Sequence, residues 1–106
     1  MSKIILTHDK MEYTLEYSRQ SVKTMESQGF VLDELTSKPM NMIPKLFAGA
    51  FIKNHSGVKR RVIDEMFDNL VDKSGLFEAL MEMYAETLSS LTESQDEGNV
   101  TWAVVK

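Results

Sequence analysis

The chain contains no cysteine, which excludes a disulfide scaffold, a thiolate metal site and a cysteine nucleophile. It lacks a long apolar run as well. A membrane-spanning helix needs about 20 mostly apolar residues, and the most apolar stretch here, Leu46 to Ile52, is far shorter. At the N-terminus only Ile4, Ile5 and Leu6 are consecutively apolar, too few for a signal peptide. Positive charge is scarce: 12 Lys and Arg stand against 16 Asp and Glu, a formal charge of −4. That balance argues against a nucleic-acid binder, which normally presents a basic face. The expectation is a cytoplasmic protein of 106 residues, long enough to bury a core without staples. The sequons Asn54-His55-Ser56 and Asn99-Val100-Thr101 are then chance matches.

What is present is organised around Pro44-Lys45-Leu46-Phe47-Ala48-Gly49-Ala50-Phe51-Ile52-Lys53. A helix with no polar side chain from Leu46 to Ile52 belongs inside a domain, with neighbours on most faces. Pro44 suits its first turn. Gly49 costs roughly 1 kcal/mol against alanine in a helix, so close packing is the expected reason for it. The core helix is predicted over 44–54, ended by Asn54-His55-Ser56-Gly57.

Residues 3–17 read as a β-hairpin. Ile4 and Leu6 alternate with polar neighbours and with Ile5, His8-Asp9-Lys10 turns, and Tyr13, Leu15 and Tyr17 share one face. Ser18 is placed as a helix N-cap, with Tyr17 and Val22 spaced for a hydrophobic staple. Gly29 suits the left-handed position after a helix over 19–28, with Phe30 packing back on Met25. Residues 30–43 hold a helical turn at Val31–Leu35 and a break at Thr36-Ser37-Lys38-Pro39. A third helix is predicted over 60–72, with Val62/Ile63, Met66/Phe67 and Leu70/Val71 on one face. After a turn at Lys73-Ser74-Gly75, a fourth runs over 76–91 with Phe77, Leu80, Met81, Tyr84, Leu88 and Leu91 as its stripe. From Thr92 to Asn99 the chain is polar and reads as flexible. Val100-Thr101-Trp102-Ala103-Val104-Val105, with the sole tryptophan, forms either a third strand against the hairpin or a segment that pairs with another chain. The fold class is α+β: an N-terminal β-hairpin on a bundle of about four α-helices, with one domain over 1–92 and an arm over 93–106.

Chemistry is sparse. His8-Asp9 falls in a turn, and a catalytic histidine needs an oriented site around it. His55 lies at a helix C-terminus, where a cation interacts well with the dipole. Two distant histidines lack metal-ligand spacing, so neither metal nor cofactor is expected. Asp64, Glu65, Asp68 and Asp72 read as a solvated helix face. Lys59-Arg60-Arg61, with Lys53 nearby, gives too few phosphate contacts for nucleic acid and reads as plain surface or as the rim of a protein contact. Phosphate-binding loops, nucleophile elbows and dinucleotide fingerprints are absent. Methionine is frequent, and most of these side chains read as core filler. Met40 and Met42 flank an asparagine in an expected loop, and Met83 falls at the edge of a helical stripe; polarizable side chains at such edges suit adaptable binding surfaces.

The order of parts carries a resemblance. Tyr13-Thr14-Leu15-Glu16-Tyr17-Ser18 is followed by Glu26-Ser27-Gln28-Gly29-Phe30, then Leu46-Phe47-Ala48-Gly49-Ala50-Phe51 and Val62-Ile63-Asp64-Glu65-Met66. Leu80-Met81-Glu82-Met83-Tyr84 and a terminal Gly98-Asn99-Val100-Thr101-Trp102 complete it. Over nearly its whole length the chain resembles the small tail assembly chaperones of long-tailed phages and prophages, and related tail proteins of gene transfer agents. The resemblance implies a non-enzymatic protein of the bacterial host cytoplasm. It would coat the long, helix-rich tape measure protein, or another tail protein, until the tail tube polymerises, and would self-associate. A longer frameshifted form often accompanies the short one in such families. No nucleic-acid or membrane partner is implied. The residues expected to contact client or copy are Met40, Met42, Met83 and Trp102, with Lys59, Arg60 and Arg61 as rim charges. Two other classes fit the same residues: a structural tail component such as a tube or terminator subunit, and a small host-directed interaction protein.

Overall fold

The computed structural model describes residues 2–93 and 98–106; the middle half of the polar stretch predicted to be flexible, 94–97, lies outside the described residues. The order is β1 (Ile4–His8), β2 (Met11–Leu15), α1 (Arg19–Ser27), a 3-10 turn (Leu32–Glu34), α2 (Pro39–Gly49), α3 (Ile52–His55), α4 (Arg60–Asp68) and α5 (Lys73–Ser89). This is the α+β architecture expected: a hairpin laid on helices.

The strands pair antiparallel, with Leu6 opposite Tyr13 and Ile4 opposite Leu15. Asp9 and Lys10 both have positive φ, 48° and 65°, the conformation of the two-residue turn whose twist matches the strands. The inner face delivers Leu6 and Leu15 to the core, and Tyr17 follows just beyond β2. Ser18 caps α1 in a reciprocal box: the Ser21 N–H donates to Ser18 Oγ at 3.1 Å and the Ser18 N–H to Ser21 Oγ at 2.8 Å. At the other end Gly29 takes φ +94°, and the Phe30 and Gly29 amides donate to the Met25 and Glu26 carbonyls. That is the Schellman ending its sequence predicts.

The apolar rod differs from expectation. The helix starts at Pro39, not Pro44, and the run breaks at Ala50-Phe51 before α3. Either proline fits a first turn, and starting at Pro39 adds a turn that brings Met42 into the core. Pro44 sits inside the helix. It has no N–H for the Met40 carbonyl, which lies on an exposed face within reach of water. The break has a cause in the hairpin. The Tyr17 hydroxyl donates to the buried Leu46 carbonyl, and the Ala50 amide turns to Phe47 at 3.1 Å. The Glu16 amide takes the Ala50 carbonyl, also at 3.1 Å. The end of β2 thus uses carbonyls that an unbroken helix would have consumed. Burial pushes the Tyr17 phenol well above its ordinary range, with the Tyr84 phenol adding to it. Gly49 has the packing reason expected: a Cβ there would fall within the Met25 thioether.

The third strand, one of the two readings of residues 100–105, does not form among the described residues. The sheet has two strands, and α3 covers the outer edge of β2. The Thr14 N–H donates to His55 Nε2 at 2.9 Å. Asn54 Nδ2 donates to the Thr14 carbonyl at 3.2 Å and to Glu16 Oε1 at 2.9 Å, and Lys53 Nζ to Glu16 Oε2 at 3.0 Å. His55 therefore serves as an acceptor toward the strand, with Tyr13 at its ring edge 5.2 Å away, and not as a cationic cap. His8 sits beside its turn neighbour Asp9, at 3.4 Å.

The last two helices are also shifted. The third was expected over 60–72 but ends at Asp68, leaving Val71 exposed instead of on the buried face. Lys73-Ser74-Gly75, read as a turn, is the first turn of α5. Asp72, at φ 56°, accepts from the Gly75 N–H at 3.1 Å; a Cβ on Gly75 would collide with that carboxylate. The buried face of α5 is Leu80, Met83, Tyr84 and Thr87. Tyr84 meets Tyr17 and Phe30 edge to face, both at 5.4 Å.

The Glu16 cluster generates a pH signature. The Asn54 hydrogen bond, with Lys53 next, holds the Glu16 carboxyl below its ordinary value of 4.5. A lowered folded-state value contributes stability above 4.5 that is lost as pH falls through the folded-state value. The urea-midpoint difference between wild type and Glu16→Gln should therefore be present at neutral pH and shrink as the solution is acidified below 4.5. A difference unchanged across that range would contradict the assignment.

Candidate protein-binding surface

The seven residues singled out from sequence do not form one surface. Met40 is 88% exposed, on the first turn of α2 and not in a loop. Met42 and Met83 are each 4% exposed and belong to the core. For Met42 the reason is the early start of α2, which aligns it with Leu46 and Gly49 on the inward face. For Met83 it is Thr87. The Thr87 hydroxyl donates back to the Met83 carbonyl at 3.1 Å, so a polar residue is buried without an unmet hydrogen bond and the stripe is centred nearer Met83 than the apolar residues alone imply. A methionine-edged groove made from all three side chains is therefore not present. Trp102 is 85% exposed on the C-terminal segment, which has no regular secondary structure over 98–106.

Lys59, Arg60 and Arg61 stand at the start of α4, all exposed. No acidic side chain lies in that first turn and no side chain caps it. Cations at the positive end of a helix cost roughly 0.3–1 kcal/mol each at low ionic strength. Arg60 recovers part through Asp64 one turn on, at 2.9 Å, an exposed pair contributing about 0.3–0.5 kcal/mol. Helix stability does not explain this basic knot.

The structure brings together a different set. Two adjoining hollows, of about 360 and 450 Å³, share Ile43 and Phe67. The first runs from Ile43 over Phe67 and Leu70 to Leu76, Phe77 and Leu80, with Lys73 and Ser74 at its margin. The second continues past Ile43 to Pro39, Met40 and Pro44 and is bounded by Arg60, Asp64 and Asp68. Together they make an apolar trough along α2, α4 and the start of α5, edged by charges of both signs. Lys73 Nζ lies 5.6 Å from the centre of the Phe67 ring and donates to the Asp68 carbonyl at 3.3 Å, closing the end of α4. Ile43 lies at the middle of the trough and is only half-buried. Of the expected residues, Met40 and Arg60 line this trough; Lys59, Arg61 and Trp102 do not.

The signal for the trough was in the sequence as a doubled stripe. On α4 the apolar positions come in adjacent pairs, Val62/Ile63 and Met66/Phe67, wider than one contact requires. Ile63 and Met66 face the core, while Phe67 stays half-buried toward the trough. A third hollow of about 380 Å³, between α1, α2, α3 and α4, is more mixed: Lys45, Gln28, His55 and Arg60 surround Gly49 and Ile52. Among the described residues no group of three or more His, Asp or Glu side chains is placed to hold a metal ion, and no helix is long and apolar enough to cross a membrane.

The burial pattern separates two methionines two residues apart. Met42→Gln should cost about 2–4 kcal/mol in urea unfolding, because it buries an amide group for which the surroundings offer one donor, the Val31 N–H that meets the Met42 sulfur at 3.5 Å. Met40→Gln should change stability by less than about 0.5 kcal/mol. Equal effects would contradict the placement of α2.

A family model described as Domain of unknown function (DUF5055) matches residues 1–105, and the chain belongs to that family. No curated protein and no solved structure matches it.

Proposed function

We propose that this DUF5055 protein is a binding module that takes an apolar helical segment of a client protein into the trough formed by α2, α4 and α5. In the setting that the resemblance implies, it is a phage or prophage tail assembly chaperone acting in the bacterial cytoplasm, and the client is the tape measure protein. The observation that carries the reading is the trough itself: two hollows joined through Ile43 and Phe67, apolar along the floor, with Arg60, Lys73, Asp64 and Asp68 at the margins. An amphipathic helix presents apolar side chains at i, i+3, i+4 and i+7, and an elongated groove with polar edges receives such a stripe. A long helix-rich chain waiting for its tube exposes many such stripes and aggregates through them. Covering them one at a time requires a continuous apolar surface, not a reactive centre.

Arg60, the one cation of that basic knot on the margin of the trough, fits the same reading, since rim charges steer a client and set its register more than they add affinity. The exposed thioether of Met40 adapts to side chains of different shape.

Co-expression with a tape measure protein tests the proposal. Met40→Asp combined with Ile43→Asp places two carboxylates in the trough. Neither residue belongs to the buried core, so the variant should melt within a few degrees of wild type. It should retain less than about a tenth of the client in co-purification, equivalent to about 1.4 kcal/mol. Undiminished capture and solubility of the client by the folded variant would refute the trough as its site.

A further inference from the structure

The two edges of the sheet are not equivalent. Thr14 directs its N–H and carbonyl outward to His55 and Asn54, so the outer edge of β2 is covered. Antiparallel pairs alternate between hydrogen-bonded and open, and Ile5 is the cross-strand partner of Thr14. Ile5 therefore also directs its N–H and carbonyl away from the hairpin, and Thr7, two residues on, does the same. Neither backbone has a partner among the described residues. The Ile5 side chain is 52% exposed beside them.

Protein edge strands are ordinarily blunted by lysine, proline, a bulge or a covering element. From Ile4 to His8 there is no lysine and no proline, and the register runs without a bulge. The same chain carries an element of matching chemistry. Gly98 to Val105 has no charged side chain although charged residues make up 26% of the sequence. Val100, Thr101, Trp102, Val104 and Val105 are β-branched or aromatic, types that favour strands. All are exposed and none is in a strand. The N-terminus of β1 is tied to α5 through Ser2, whose hydroxyl donates to Glu86 at 2.9 Å, so the start of the free edge lies beside the last turns of α5.

We propose that residues 100–105 of one copy add as a strand to the β1 edge of a second copy. Each chain carries one arm and one edge, and its own edge is not occupied by its own arm. Exchange between two copies satisfies both elements at once and closes as a symmetric dimer with two junctions. Backbone hydrogen bonds supply the attachment, and the alternating side chains Val100, Trp102 and Val104 pack on one face of the extended sheet. The inference does not depend on the client proposal, since the edge and the trough are built from different elements.

Sedimentation of the full chain over a range from about 1 µM to 1 mM, with Trp102 emission recorded in parallel, tests it. Trp102 is the only tryptophan. The expected result is a concentration-dependent monomer–dimer transition with a matching blue shift. Thr101→Pro with Val104→Pro blocks the arm whichever set of its amides pairs. Ile5→Pro removes an outward N–H without breaking the hairpin ladder, and Ile5→Lys does the same work by charge if the proline variant loses its circular dichroism. Each blocked chain should dimerise at least about tenfold more weakly. An equimolar mixture of arm-blocked and edge-blocked chains should recover a 1:1 dimer through the one remaining junction. A chain that stays monomeric throughout overturns the proposal, as does a Trp102 shift independent of concentration, which would place the arm on its own edge. Dimerisation unaffected by both blocks, or a mixture that does not recover, overturns it equally.

Discussion

The fold depends on how the end of β2 engages the apolar rod. A helix running through Leu46, Ala50 and Asn54 would satisfy its own carbonyls and leave nothing for a strand. Here the Tyr17 hydroxyl and the Glu16 amide take the carbonyls of Leu46 and Ala50, and the rod bends where they do so. A buried carbonyl without a donor costs about 1–3 kcal/mol, so the bend and the strand contact require each other. An isolated two-stranded hairpin is marginal in water; this one is held by the chain it interrupts.

The bend has consequences on both sides. It turns α3 so that Lys53, Asn54 and His55 reach back over β2, which closes one sheet edge and leaves β1 open. It also ends α2 at Gly49, where Met25 packs in place of a Cβ. The Ile43 and Met40 side of α2 is left facing α4 and the start of α5 across the trough. Edge and trough are two results of one junction, and they are the two surfaces to which the proposals assign another chain.

The sequence made some of this legible. The hairpin, both ends of α1, the packing role of Gly49 and the α+β class follow from alternation, capping residues and a glycine in the left-handed position. These signals are local, so neighbours in sequence suffice to read them. The break at Ala50-Phe51 is not local: its cause is a tyrosine 29 residues away from Leu46, and no pattern within the apolar run announces it. The start of α2 was ambiguous because Pro39 and Pro44 both satisfy a first turn. The start of α5 was misread because Gly75, ordinarily a turn signal, is the residue whose missing Cβ admits the Asp72 cap. Met83 was misplaced because Thr87 hides its hydroxyl inside the helix. Of the candidate binding residues, Met40 and Arg60 line the trough, while the floor residues Ile43 and Phe67 were readable only as a stripe broader than one contact needs.

Native-state hydrogen exchange at the Glu16 amide tests the junction most directly. Glu16 lies one residue beyond β2, so its amide has no partner in the hairpin ladder and reports only the bond to Ala50. The account predicts that it exchanges as slowly as the buried amides of α2, such as Phe47, through opening of the whole domain. Exchange as fast as that of Glu12, whose amide faces outward on the β2 edge opposite Thr7, would mean that the strand end does not hold the rod, and the account would be wrong.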